Sequence, residues 1–215
     1  SAASDVYKRQ DMDLVSGEFS TGTPFLAWHE NDGTPGGGWA TRTIATDAYA
    51  IRNVRVADLD GDGDLDVMAA SSNDGLVNWY ENDGTPGDGG WVSHTVNPEP
   101  GFGEPWDVSS ADFNRDGNLD LVASFRGFDD LLFLLSDGTP GNGGWFSRYV
   151  SSSFSAPLGI ATVDLDRDGN EDVVTAWRDS DAITWTENDG TPGDGGWTTH
   201  TISTSASAAY AVTSA

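Results

Sequence analysis

A chain of 215 residues, 37% hydrophobic and 11% aromatic, can bury a sizeable core, and its 9 Trp and 27 Gly point to short strands joined by tight turns and away from helices. Its 35 acidic residues against 10 basic ones leave a formal net charge of −25, which repels phosphate backbones and anionic lipid and so excludes nucleic acid as a partner. The absence of cysteine removes disulfides and thiolate metal sites, and no apolar run approaches the ~18–20 residues of a membrane-crossing helix, so no membrane insertion is expected.

Residues 1–10 stand apart, because the run Asp5 to Gln10 resembles a translated sequencing-library adapter and is read as non-native. From residue 11 onward the chain repeats at a period of about 53 residues, dividing at about 11–57, 58–111, 112–163 and 164–215. The first repeat keeps Asp11 and Asp13 of an acidic run, with Tyr7 and Arg9 where later repeats carry carboxylates. A Gly-rich run, Asn31-Asp32-Gly33-Thr34-Pro35-Gly36, follows, and then Trp39. In the second repeat, strands are predicted over Val54–Ala57, Leu65–Ala70, Leu76–Tyr80 and Trp91–Val96, each short, apolar or alternating, and bounded by turn residues. The run starting at Asn82 carries Asp-Gly and Pro-Gly turn signals and fits the hairpin between the third and fourth of these strands. The same markers return in the third repeat at Asp112, Ser136 and Trp145, and in the fourth at Asp164, Asn188 and Trp197. Ala215 falls at the register of Ala57, Ala111 and Val163, the end of a first strand. Four antiparallel strands in such a period make one propeller blade. The fold expected is therefore all-β, a β-propeller of four-stranded blades with about four blades' worth present, read as a portion of a larger ring.

Three acidic loops carry the chemistry. They place Asp58, Asp60, Asp62, Asp64 and Asp66 in the first, Asp112, Asn114, Asp116, Asn118 and Asp120 in the second, and Asp164, Asp166, Asp168, Asn170 and Asp172 in the third, at loop positions 1, 3, 5, 7 and 9. A Gly at position 6 permits the sharp bend, and position 7 can offer its backbone carbonyl, so the spacing curls oxygen donors around one point. A hard cation with many oxygen ligands, Ca2+, suits that cage better than zinc or magnesium. The bidentate Glu that would close an EF-hand at position 12 is missing, with Ala69, Ala123 and Thr175 in its place, and position 9 closes the loop instead. Two carboxylates about 4 Å apart repel by roughly 4 kcal/mol at an effective dielectric near 20, so several converging on one point require a counter-charge. About three structural calcium sites are expected. With a dissociation constant near ~10⁻⁴ M, millimolar calcium would stabilise the fold by roughly 1.4 kcal/mol per site, which favours an extracellular or cell-surface location.

The three loops, each leading into an apolar strand at Val67, Leu121 or Val173, together with the repeat length, resemble the FG-GAP and VCBS repeats, calcium-loop propellers related to the head of integrin α subunits. The pieces that name the family are present in part, as Phe102-Gly103 and Ala156-Pro157. The resemblance implies about seven blades, secretion, and a role in adhesion or as an accessory module of large surface proteins or polysaccharide-degrading enzymes. Alternating strand direction puts the acidic loops on one face and the diverging connections on the other. On that second face Phe102, Trp106, Arg126, Phe128, Trp177 and Arg178 are the candidates for binding a glycan or an extracellular protein. Trp28, Trp79, Phe133 and Trp185 share one repeat position and, with Trp39, Trp91, Trp145 and Trp197, are expected to pack between blades, while His94 and His200, alternating with Arg42 and Arg148, are expected to face solvent. A non-catalytic binding scaffold is the leading reading. A secreted polysaccharide lyase or hydrolase would have to use Arg126, Asp129, Asp130, Arg178, Asp179 and Asp181, which form no recognisable motif, and a passive spacer in a large surface protein is the third alternative.

Overall fold

The computed structural model describes residues 12–19, 25–34, 36–96, 103–151 and 153–213. Among them, four antiparallel meanders succeed one another. The first contains β1 (Leu14–Gly17), β2 (Leu26–Asn31) and β3 (Trp39–Ala45). The second runs β4 (Ile51–Ala57), β5 (Asp66–Ser71), β6 (Leu76–Asn82) and β7 (Trp91–Thr95). The third is β8 (Pro105–Ala111), β9 (Asp120–Phe125), β10 (Asp130–Ser136) and β11 (Trp145–Ser151), and the fourth is β12 (Pro157–Val163), β13 (Asp172–Trp177), β14 (Ala182–Asn188) and β15 (Trp197–Ser203). Sequence order equals spatial order in every sheet, so each is one blade.

Middle strands are buried on both faces, and their composition shows it: β9 reads Asp-Leu-Val-Ala-Ser-Phe and every residue is buried. The outer strand β7 carries only half-buried and exposed residues. Three apolar clusters fill the three spaces between successive blades. Leu26, Ile51, Val67 and Tyr80 join the first to the second. Met68, Trp79, Val108 and Leu132 join the second to the third, and Phe113, Phe133, Ile160 and Trp177 join the third to the fourth. The outer-strand tryptophans complete these layers, Trp91 against the first cluster, Trp145 against the second and Trp197 against the third. Trp197 stacks on Phe133 with ring centroids 3.8 Å apart. Trp39, at the same repeat position in the first blade, is instead 48% exposed.

Near the axis the inner strands are cross-linked through Asp107, which is 4% exposed. Its carboxylate accepts from the Arg55 guanidinium of the preceding blade at 3.3 Å and from the backbone N–H of Ile160 in the following blade at 3.1 Å. Burial pushes this carboxyl above its ordinary range, and the Arg55 charge only partly offsets that.

Two sequence expectations change. Strand β4 begins at Ile51 and not at Val54, because a bulge between Ile51 and Asn53 absorbs Arg52, the polar residue that interrupts the apolar pattern. The strand expected at the C-terminal end is not formed over the described residues 209–213: this segment meets β12 through one bond, the Gly159 N–H donating to the Tyr210 carbonyl at 3.1 Å, without a regular ladder.

Candidate metal centre

Each acidic loop joins the first strand of a blade to the second, and its geometry follows from short-range hydrogen bonding. In the first loop Asp60 Oδ1 accepts from the Asp62 N–H at 3.1 Å, Asp62 Oδ1 from the Asp64 N–H at 2.9 Å, and Asp58 Oδ2 from the Gly63 N–H at 3.1 Å. The third loop repeats these bonds through Asp166, Asp168 and Asp164. Gly63, Gly117 and Gly169 occupy the bend with φ of 98°, 93° and 91°. Position 4 is also left-handed, at Gly61, Arg115 and Arg167 alike, a constraint that arginine at two of three sites hides from sequence reading.

Position 9 anchors the loop. Asp66, Asp120 and Asp172 are fully buried. Asp66 accepts from the Leu59 N–H with one oxygen and from the Asn82 N–H with the other, both at 2.9 Å. Asp120 does the same with Phe113 and Ser136, and Asp172 with Leu165 and Asn188. Asp13 keeps the part of this pattern that reaches the turn, accepting from the Asn31 N–H at 2.8 Å. The Gly-rich hairpin turn is thus bolted to the acidic loop. The turn also bonds to itself: Asn82 Oδ1 accepts from the Gly84 N–H at 3.1 Å, and Asp83 Oδ1 accepts from the Thr85 N–H at 2.9 Å. Side chains at position 7 pack on the turn glycine, and a Cβ at Gly84 would lie 2.8 Å from Asp64 Oδ2. The repeated Asn-Asp-Gly-Thr run is therefore a mount for the loop.

In two loops the acids converge. Carboxylate oxygens of Asp58, Asp60 and Asp66 lie within 4.8 Å of one another, as do those of Asp164, Asp166 and Asp172. In each triad one oxygen, Asp58 Oδ1 or Asp164 Oδ1, is buried without a hydrogen-bond partner among the described residues. Burial raises Asp60 and Asp172 above the ordinary carboxylate range and carries Asp66 to about 6. Orphaned oxygens, exclusively oxygen donors and charge held at a desolvation penalty fit a hard divalent cation. The second loop differs. Asn114 stands at position 3, and both Asp112 oxygens are engaged, by the N–H groups of Asp116 and Gly117. Its Asp116 carboxylate accepts from the Asn114 and Asn118 amides at 3.0 and 2.9 Å, and Asp120 is raised to about 6.

Comparison with known proteins agrees with this arrangement. The FG-GAP-like repeat family matches residues 5–69 and 59–123, which together span more than half of the chain and include the first two acidic loops. The chain belongs to the FG-GAP-like repeat family. A chain from a crystal structure of a nidogen/laminin complex resembles it with a TM-score of 0.50 at 10% identity, over 95% of this chain and 81% of that one, a likeness that speaks for the β-propeller fold. No curated protein matches the sequence.

On the face opposite the FG-GAP-like loops, the candidate binding residues separate. Trp177 does not belong to a binding surface: it is 0% exposed, its indole N–H donates to Thr184 Oγ1 at 2.7 Å, and it fills the cluster between the third and fourth blades. It ends β13 where Phe125 ends β9, so counting from the acidic loop would have placed it in the core. Trp106 is 9% exposed and meets Tyr210 edge-on at 5.8 Å. Arg126 pairs with Glu104 at 3.2 Å and Arg178 with Asp179 at 2.7 Å. Phe128 is exposed, and Phe102 lies outside the described residues. Asp129 and Asp181 each accept a backbone N–H, from Ala156 and Ala208.

The histidines expected to face solvent divide: the His94 side chain is 19% exposed and that of His200 is 42% exposed. His94 stacks on Trp79 at 4.5 Å and bonds Glu81 at 2.7 Å; His200 stacks on Trp185 at 4.6 Å and bonds Glu187 at 2.5 Å. Arg42, at the same position, holds Glu30 at 3.0 Å and donates to the Gly87 carbonyl of the next blade, and Arg148 does likewise to Gly193. At Arg42 and Arg148 the neighbouring blade, invisible in a strand's own alternation, converts this position into a strut.

Proposed function

We propose that the protein is a calcium-stabilised, extracellular binding scaffold without catalytic activity, which presents the face opposite its acidic loops to a partner. The observation that carries the calcium reading is the pair of Asp triads, each with a buried carboxylate oxygen that has no hydrogen-bond partner among the described residues. Asp58, Asp60 and Asp66 would hold one ion and Asp164, Asp166 and Asp172 another, with Asp62, Asp64, Asp168 and Asn170 completing the loops. Asp112, Asn114, Asp116, Asn118 and Asp120 would form a third, weaker site. When bound, the ion neutralises converging carboxylates and ties the loop to its blade.

Family membership supports the extracellular placement, where calcium is millimolar, and no helix among the described residues is long and apolar enough to cross a membrane. The non-catalytic reading is supported by the residues a lyase or hydrolase would need: Arg126 and Arg178 are ion-paired, and Asp129 and Asp181 bond backbone. Isothermal titration of the EDTA-stripped protein with CaCl2 tests the proposal. Two or three sites with a rise in melting temperature are expected, and an absence of bound calcium at millimolar concentration refutes it.

A further inference from the structure

We propose that Arg52 is the centre of a carboxylate-binding subsite that receives one acidic side chain of a protein partner. The inference rests on the scaffold reading for the choice of face only. Arg52 sits at the start of β4, at the end remote from the acidic loop, and is the residue absorbed by the bulge between Ile51 and Asn53. Trp106 occupies the equivalent bulge of β8, between Pro105 and Asp107. A bulge turns a side chain out of the regular alternation, and here it brings two such side chains together. The Arg52 Cζ lies 4.2 Å from the Trp106 ring centre and 4.0 Å from that of Phe19, which is 60% exposed. Stacking leaves the guanidinium edge for hydrogen bonding, and among the described residues only Nε is used, donating to Ser72 Oγ at 3.1 Å. Among the described residues no carboxylate pairs with Arg52. Glu104, the nearest acid in effect, is committed to Arg126. A flat guanidinium held on aromatic faces, with its outer N–H groups unspent, matches the bidentate geometry of a carboxylate.

Charge decides which kind of carboxylate bearer fits. Arg126 and Arg178 are neutralised by Glu104 and Asp179, so the patch offers one uncompensated cation on a chain of net charge −25. A polyanion with a charge on every unit would be repelled by the rest of the surface and by those acids. A single Asp or Glu side chain flanked by apolar or basic residues would not, and the exposed rings of Phe19 and Tyr210 beside Arg52 supply the aromatic and arginine surface typical of a protein interface.

The test uses the full chain in millimolar calcium and a short amidated peptide, Lys-Phe-Asp-Phe-Lys, with its Asn counterpart, read by calorimetry and by the NMR signal of the Arg52 side chain. The Asp peptide should bind at least about tenfold more tightly than the Asn peptide, and Arg52→Gln should abolish that difference. Arg52→Lys, which keeps the charge but loses the planar fork, should abolish it too, so the result does not depend on one variant folding. Equal binding of the two peptides, a preference unchanged in both variants, or tighter binding of polygalacturonate than of the Asp peptide would overturn the proposal. The two readings fail separately. Carboxylate binding through Arg52 without any calcium effect on melting would sink the calcium scaffold alone, and calcium stabilisation without an Asp preference would sink the subsite alone.

Discussion

Substituting Asp66 by Asn separates the two duties assigned to position 9, since the residue is both the buried acceptor for two backbone N–H groups and a member of a converging triad. Without a cation the wild-type carboxylate is ionised at neutral pH although burial carries its pKa to about 6, some two units above the ordinary value, so its charge costs the fold about 3 kcal/mol. Asn removes that cost but turns an NH2 toward one of the two N–H donors, which costs about 1–3 kcal/mol. The two effects nearly cancel, and in EDTA the variant should unfold within about 2 kcal/mol of wild type. Saturating calcium changes the comparison: at about 100 times the dissociation constant each site contributes about 2.7 kcal/mol, and the variant forfeits its share at the first loop. Urea unfolding followed by tryptophan fluorescence, in EDTA and in calcium, measures both differences. If the substitution lowers stability equally in the two buffers, Asp66 is only a hydrogen-bond acceptor and the metal argument is wrong.

Arg167→Gly should stabilise the protein by about 0.5–1 kcal/mol, because Arg167 holds a left-handed φ of 64° where the first loop has Gly61, and relief of that strain exceeds the added entropy of the unfolded chain. A melting temperature below wild type would show that the conformation is not strained. Arg42→Ala should cost about 1 kcal/mol by removing the bond to the Gly87 carbonyl, and little of the loss should respond to salt, since the Glu30 pair is partly exposed. In EDTA, stability should rise as pH falls from about 7 to about 4. Asp66 and Asp120 have folded pKa values of about 6, above the unfolded value, so their contribution is present below about 4 and is lost as pH rises through about 6. With calcium the trend should reverse, because protons then compete with the ion, and thermal melts across this range in both buffers decide it.

The blades and the acidic loops are legible in the sequence because their causes are local. Oxygen side chains two residues apart, a glycine at the bend and an apolar residue after the loop specify the hairpin from within some ten residues, and three repetitions remove ambiguity. What sequence reading missed depends on neighbouring strands and blades. His94 and His200 look like outward residues of an alternating strand, yet each stacks on a Trp of the adjacent strand in its own blade and bonds a Glu of that strand. Trp177 looks like a loop aromatic until Phe154 and the third blade pack against it. Arg52 carries no signal at all, since a bulge is a property of pairing between two strands and not of either sequence.

The difference between the two faces follows from which atoms carry the structure. At the acidic loops the side chains themselves make the anchoring bonds, as Asp66 does to Leu59 and Asn82, so each repeat must keep the same residue types. Six residues beyond the position-9 Asp, the chain reaches the opposite face at Phe19, Ser72, Arg126 and Arg178. There the anchoring bonds come from the backbone: the N–H groups of Ser72, Arg126 and Arg178 donate to the carbonyls of Ala50, Glu104 and Ala156, residues that share a left-handed φ. Main-chain bonds place no demand on the side chain, and four repeats accordingly hold an aromatic ring, a hydroxyl and two guanidinium groups at one geometric station. A face built in this way can acquire a binding surface one blade at a time without disturbing the acidic loops that anchor the hairpins.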